Sequence, residues 1–97
     1  DTQPRDLLAF DPLDPVALTQ ALVRCPSVTP AEGGALGLIA ELLAAEGFTV
    51  ERPVFSAAGT PDVENLYARI GREGPVFVIA GHTDVVPVEG QAWSSDP

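Results

Sequence analysis

Residues 75–80, PVFVIA, form a continuously apolar, mostly β-branched or aromatic run that ends at a glycine. A half-exposed strand alternates apolar and polar residues, whereas a strand that is covered on both faces is apolar throughout. The run therefore predicts a central strand with layers packed on both of its sides. Because such a strand needs helices or a second sheet to cover it, this feature indicates an α/β layer structure.

A short amphipathic helix is predicted near the start of the chain. Asp14 provides an N-cap, Pro15 occupies the first helical position, and Pro26 stops the segment. Apolar side chains repeat at helical spacing between these signals, so one face should pack against the rest of the domain. The residues on this face are Leu18, Ala21, Leu22 and Cys25.

A second helix is predicted from about residue 30 to residue 46. Thr29 is its predicted N-cap, and Glu32 stands three residues later, where it can complete a capping box. Gly47 follows the last apolar position and is expected to end the helix in a left-handed conformation.

The apolar period changes after the second helix. The segments 48–55 and 63–70 alternate roughly and predict two strands, the first at an edge because Pro53 cannot donate to a ladder. With residues 75–80, the predicted fold is α/β, with two helices followed by three strands of a mixed and incomplete sheet. Residues 1–13 are interpreted as an N-terminal arm, anchored by Leu7, Leu8 and Phe10.

The charge balance excludes several classes of partner. The chain has no lysine, and its 5 arginines face 14 carboxylates, for a formal net charge of −9. Clustered cations are needed to bind phosphate backbones or anionic bilayers, so neither nucleic acid nor a membrane surface is an expected partner. The sequence shows neither a signal peptide nor an apolar run long enough for a span, and a cytoplasmic location is expected.

His82, the only histidine, follows the predicted central strand, and Asp84 stands two residues later. Two residues apart on an extended chain, the side chains share one side, where the carboxylate can accept one imidazole N–H and leave the other nitrogen for a metal. A lone histidine paired with an acid is nevertheless more often structural, and a catalytic zinc site needs about three protein ligands. The spacing alone therefore leaves both interpretations open.

The residues around His82 resemble a known metal-ligand motif. The motif GHTDVVP, followed by a tryptophan and SSDP, resembles the first metal-ligand motif of the dinuclear zinc amidohydrolases, which include aminoacylases and acetylornithine deacetylases. Within that superfamily, ALVRCPSVTPAEGGAL, GFTVERPVF and TPDVENLYARIG look like the succinyl-diaminopimelate desuccinylase family. The resemblance runs from about Asp14 to Pro97.

The resemblance implies a metal-dependent hydrolase. His82 matches the histidine that ligates one of two zinc ions, with cobalt as an alternative metal, and Asp84 matches the catalytic-site aspartate that orients it. The implied substrate is a small N-succinyl amino acid, N-succinyl-LL-2,6-diaminopimelate, which is hydrolysed to succinate and LL-2,6-diaminopimelate in lysine and cell-wall biosynthesis. The implied fold is a zinc-peptidase-like catalytic domain.

The family's other metal ligands, its glutamate general base and its dimerisation domain find no match in these 97 residues. Residues 14–97 are therefore expected to be the N-terminal part of the catalytic domain, inactive by itself, from an enzyme that is a homodimer when complete. Two alternatives stay open. PVEGQAW at 87–93 leans toward the acetylornithine deacetylases, and a non-catalytic α/β module would use the His82–Asp84 pair structurally.

Overall fold

The computed structural model describes residues 9–97 and contains two helices and four short strands. In chain order the elements are α1 (Pro15–Val23), α2 (Ala35–Ala45), β1 (Thr49–Glu51), β2 (Val54–Ala57), β3 (Thr60–Glu64) and β4 (Tyr67–Arg69). The predicted α/β composition is thereby confirmed. Most of the predicted N-terminal arm, including Leu7 and Leu8, lies outside the described residues, and Phe10 is half-buried.

Helix α1 begins as the sequence predicts. The Asp14 carboxylate accepts hydrogen bonds from the backbone N–H groups of Val16 at 2.9 Å and Ala17 at 3.4 Å. Pro15 occupies the first helical position, where its missing N–H costs nothing. The helix ends at Val23, before Pro26. Its predicted inner face is half-buried at every position, namely Leu18, Ala21, Leu22 and Cys25.

The predicted start of helix α2 is wrong by about five residues. The helix begins at Ala35, after Gly34 in a left-handed conformation with φ of 104°, and Thr29 does not cap it. Glu32 takes the capping role instead, since its Oε1 atom accepts from the backbone N–H groups of Gly34 and Leu36. The capping-box pattern predicted a Thr29 cap that the structure does not use, because the Thr29 hydroxyl bonds to a residue far along the chain.

The end of α2 is as predicted. Glu46 is the C-cap, and Gly47 follows it in a left-handed conformation with φ of 93°. The Gly47 N–H donates to the Ala44 carbonyl at 3.1 Å, so a carbonyl of the last turn is satisfied. Phe48 then leads directly into β1, and α2 packs against both β1 and α1.

The predicted mixed three-stranded sheet is wrong. β1 pairs with β4 and β2 pairs with β3, in two antiparallel two-stranded ladders. Thr49 stands opposite Arg69 and Phe55 stands opposite Val63, so one register continues from the first ladder into the second, as in a single interrupted hairpin. The register shifts by one residue between Phe55 and Ala57, near the turn. The interruption falls at Pro53, which has no N–H for the ladder and whose carbonyl accepts from Asn65 at 2.8 Å.

The predicted central strand at 75–80 is also wrong. The run has no strand conformation, and its side chains are exposed, with Phe77 at 88% and Ile79 at 87%. A strand needs a neighbour that accepts and donates its backbone hydrogen bonds, and no strand between residues 9 and 97 pairs with this run. The apolar pattern predicted burial on both faces, and the exposure of the run contradicts that prediction within the described residues.

The core of the described residues is small. Ala35 and Leu36, at the start of α2, are its buried apolar side chains, and Ser27 is the buried polar one. The centre of packing is therefore the junction between the start of α2 and the segment that precedes it. Within residues 9–97, no helix combines the length and the apolar character that a bilayer span requires.

A cluster of three charged side chains joins the hairpin to helix α2. The Arg52 guanidinium donates to both carboxylate oxygens of Glu64, at 3.0 Å each, and to Glu32 Oε2 at 3.3 Å. The pKa of Arg52 is raised above its ordinary value, first by the hydrogen bond to Glu64. Because Glu32 also caps α2, this cluster fixes the interruption of the hairpin beside the start of the helix.

We expect Asp14→Ala to lower the free energy of unfolding by about 1 kcal/mol, because two backbone N–H groups of α1 lose their acceptor. Urea denaturation followed by circular dichroism measures the change. Asp14→Asn is the matched control, since asparagine caps about as well and should keep the stability close to that of the wild type. An equal loss in both variants would contradict the capping role.

Candidate metal-ligand site

His82 and Asp84 lie in an irregular loop and form the pair that the sequence predicts. The His82 Nδ1 atom is 2.8 Å from Asp84 Oδ1. Both side chains face solvent, with His82 83% exposed and Asp84 56% exposed. No strand leads into the loop, so the predicted position at a strand end is wrong, although the local contact between the two side chains does not depend on one.

The protonation of this pair follows from the chemistry of its acceptor. The pKa of Asp84 lies below its ordinary value, first because the Thr29 hydroxyl donates a hydrogen bond to it and second because His82 does. An ionised carboxylate accepts hydrogen bonds and cannot donate them, so Nδ1 must carry the proton. In the neutral ring this leaves Nε2 with a free lone pair, which is the form that binds a metal.

The second oxygen of Asp84 has its own partner. The Thr29 hydroxyl donates to Asp84 Oδ2 at 2.8 Å, across 55 positions of sequence. Thr29 was predicted to cap α2, and its contact with the site was missed. The signal available in the sequence was that Thr29 lies within ALVRCPSVTPAEGGAL, one of the segments that carry the family resemblance.

Backbone contacts hold the two segments together beside this bond. The Val85 N–H donates to the Ser27 carbonyl at 3.0 Å, and Val28 and Val85 form an isolated parallel bridge. Ser27 is 3% exposed, so the segment to which the His82 loop attaches is itself anchored in the interior. We call the contact between residues 27–29 and residues 84–85 the loop junction.

Gly33 keeps the loop junction closely packed from behind. A Cβ atom at this position would lie 2.4 Å from the Pro26 carbonyl carbon and 2.8 Å from the Ser27 nitrogen. Real Cβ atoms do not approach backbone atoms so closely, so only glycine fits unless the backbone shifts. The lack of a side chain at Gly33 therefore allows the segment that contains buried Ser27 to pack closely against it.

The described residues do not assemble a complete metal site. Between residues 9 and 97, no three side chains of histidine, cysteine, aspartate or glutamate lie close enough together to hold an ion. Cys25 is not near enough to add a ligand of this kind, and its thiol bonds to the Ala21 carbonyl at 3.4 Å within the end of α1. The arrangement offers one ligand nitrogen and the carboxylate that orients it.

Comparison with known proteins shows that the sequence of the chain is similar to one class of enzymes, the desuccinylases. The chain is 71% identical to the succinyl-diaminopimelate desuccinylase of Methylobacterium nodulans over 84 residues, which is 86% of this chain and 21% of that protein. It is 61% identical to the enzyme of the same name from Parvibaculum lavamentivorans over 87 residues, which is 89% of this chain and 22% of that protein. The predicted resemblance is thereby confirmed.

The chain spans about a fifth of the length of the curated relatives that it matches. No protein-family model matches the chain. No solved structure matches it either. The similarity therefore rests on the sequence of the relatives, over 86% of the chain.

We expect Gly33→Ala to lower the free energy of unfolding by about 1–3 kcal/mol, the usual cost of forcing an extra methyl group into a filled space. The methyl group would collide with the backbone of Pro26 and Ser27 and displace the segment on which the His82 loop rests.

Gly81→Ala is the matched control for this variant, because a Cβ atom at Gly81 meets no other atom within 4 Å. Its stability should stay within about 0.5 kcal/mol of the wild type. Urea denaturation of the three chains measures both changes. An equal effect at the two glycines would contradict the close approach at Gly33.

Proposed function

We propose that this chain is the N-terminal part of the catalytic domain of a zinc-dependent succinyl-diaminopimelate desuccinylase. The observation that carries the proposal is the identity of 61–71% to enzymes of that name over most of the chain. The proposed fold of the complete domain is zinc-peptidase-like, and the two helices and the interrupted hairpin would form one end of it. Because the chain spans about a fifth of those relatives, the complete reaction is proposed for the longer protein.

His82 is the proposed metal ligand, through Nε2. The residues fit this role because Asp84 engages Nδ1 at 2.8 Å and because the ring is exposed enough for an ion to approach. Imidazole ligands of zinc typically donate their other N–H to a carboxylate or a carbonyl, which fixes the ring and raises its basicity. Asp84 supplies that carboxylate, and its pKa lies below the ordinary value, first because the Thr29 hydroxyl donates to it and second because His82 does.

The proposed reaction adds water across the amide bond of N-succinyl-diaminopimelate. The C–N bond breaks, the water oxygen joins the acyl carbon to give succinate, and a proton reaches the leaving nitrogen to give the free amine. The two zinc ions, or cobalt in their place, would supply Lewis-acid activation of water and charge stabilisation at the carbonyl oxygen. In this scheme His82 would bind a metal ion through Nε2, and Asp84 would hold the proton on Nδ1 throughout the reaction.

The remaining parts of the proposed site come from outside these residues. The proposed chemistry also requires further metal ligands and a glutamate general base. Residues 9–97 assemble no such cluster. The longer enzyme is proposed to be a cytoplasmic homodimer whose partner is a small succinylated amino acid. A net charge of −9 agrees with proposing neither nucleic acid nor a membrane as a partner.

The alternative proposal is a structural role for the His82–Asp84 pair in a non-catalytic module. Pairs in which both members face solvent typically contribute little to stability, because water screens them and ordering the side chains costs entropy. We therefore place the ligand role of His82 first and test it against the structural role by measuring metal content after His82→Ala in the longer protein. An acetylornithine deacetylase is the second candidate within the superfamily, since PVEGQAW at 87–93 resembles that group.

We expect the chain to bind zinc weakly and to lose this binding in His82→Ala, because the described residues place no third metal-binding side chain beside His82 and Asp84. Calorimetric titration with zinc at neutral pH measures both. Cys25→Ser is the control that removes the free thiol, which by itself could bind zinc, and it should leave the binding unchanged. Tight stoichiometric binding that requires His82 would show instead that the chain builds a complete site.

The 97-residue chain alone is expected not to hydrolyse N-succinyl-LL-diaminopimelate, because residues 9–97 do not assemble the further ligands that the proposed reaction requires. Release of the free amine is the measurement. A His82→Ala preparation made in parallel controls for traces of a host desuccinylase, whose activity would be the same in both samples. Hydrolysis that is present in the wild type and absent in His82→Ala would contradict this expectation.

The acyl substrate is tested in the longer enzyme by comparing kcat/KM for succinylated diaminopimelate with kcat/KM for acetylornithine. A preference for the succinyl substrate supports the proposed function. A preference for acetylornithine would replace it with the second candidate.

A further inference from the structure

Asp84 is held at both of its oxygens. Oδ1 lies 2.8 Å from the His82 ring nitrogen, and Oδ2 accepts from the Thr29 hydroxyl at 2.8 Å. With a single partner, an exposed carboxylate would rotate about its side-chain bonds and reach the imidazole for part of the time. With a partner on each oxygen, rotation breaks one of two hydrogen bonds, so the plane of the carboxylate is fixed.

Thr29 is suited to impose this restraint. Its β-branched side chain has few accessible rotamers, and Pro30 directly after it restricts its backbone conformation. Two residues before it, Ser27 is buried and accepts the Val85 N–H at 3.0 Å. The Thr29 hydroxyl is thus presented from the anchored side of the loop junction toward a loop that is otherwise exposed.

We infer that Thr29 is a positioning residue for the metal ligand, acting through Asp84 to fix the ring orientation and the tautomer of His82. This inference rests on the proposed function for its purpose, because a fixed tautomer with a free Nε2 matters only if that atom binds a metal. The chain of contacts runs from the buried Ser27 segment to Thr29, then to Asp84 and then to His82. Groups of this outer kind commonly change metal affinity by about 10–100-fold.

The loop junction offers a way to separate positioning from simple support of the loop. The Val85–Ser27 bond joins backbone atoms and survives any change of the Thr29 side chain. Thr29→Val keeps the shape and removes the hydroxyl, so the loop stays attached while Asp84 loses one partner. Thr29→Ser retains the hydroxyl and should behave like the wild type.

Because His82 is the only histidine of the chain, nitrogen-15 NMR of histidine-labelled protein reports on this one ring. In the neutral ring of the wild type the two nitrogens should give well-separated signals, one protonated and one not, so all variants are compared with the ring in its neutral form. In Thr29→Val the two signals should move toward each other, and Thr29→Ser should restore the separation. Unchanged signals in Thr29→Val would overturn the inference.

Two further variants test whether the effect passes through Asp84. Thr19→Val is the matched control, since it also removes an exposed threonine hydroxyl bond, to the Pro15 carbonyl at 2.7 Å, and should leave the His82 signals in place. In an Asp84→Ala background, Thr29→Val should have no further effect. An additional shift in that background, or an equal shift in Thr19→Val, would overturn the inference.

A measurement on the unmodified chain covers the case in which Thr29→Val does not fold. The three-bond couplings of Thr29 should report one side-chain rotamer, held by Asp84, and averaging over several rotamers would overturn the inference. In the longer enzyme, Thr29→Val should weaken zinc binding by about tenfold, with recovery in Thr29→Ser.

Failure of the inference and failure of the proposed function give different results. His82 signals that respond to Thr29, in an enzyme whose zinc content does not change in His82→Ala, would keep the positioning role and reject the function. Zinc binding that requires His82, together with ring signals that ignore Thr29, would keep the function and reject the positioning role.

Discussion

The position of His82 depends on the loop junction, the contact between residues 27–29 and residues 84–85. Residues 75–97 contain no strand or helix, and their apolar run is exposed. What gives His82 a defined place is the bond from the Val85 N–H to the carbonyl of buried Ser27, together with the hydroxyl bond from Thr29 to Asp84. The site thus depends on a short contact between two irregular segments, whereas the regular elements act by burying one of those segments.

The parts of the fold that the sequence predicted correctly are those fixed by near neighbours. Asp14 starts α1 because the backbone N–H groups that donate to it lie within one turn, and Pro15 fits the first helical position. Gly47 ends α2 for a similarly local reason. The failures involve partners at a distance. The strand at 75–80 required a neighbour that the pattern could not name, and Pro53 divided a ladder that alternation alone would have kept whole. Local chemistry predicts where a segment turns, but pairing requires knowledge of the other segment.

In the candidate site, too, the contact between near neighbours could be predicted and the contact between distant residues could not. The contact between His82 and Asp84 could be predicted because two positions of chain bring the side chains together in almost any extended conformation. The contact between Thr29 and Asp84 could not, because 55 positions separate them and Thr29 stood before a plausible helix start. Glu32 was correctly singled out near that start, yet its structural role is to cap α2 directly, without a threonine partner.

Glu32 links helix α2 to the hairpin, and this link bears on how related sequences can vary. One of its carboxylate oxygens caps α2 and the other receives Arg52, which in turn holds both oxygens of Glu64. Loss of Arg52 leaves two neighbouring carboxylates without a cation, whereas loss of either glutamate leaves one matched pair, so the effects of substitutions at the three positions are coupled. Among diverged relatives, these positions should therefore vary in a correlated way, and such covariation would record the contact between helix and hairpin in an alignment.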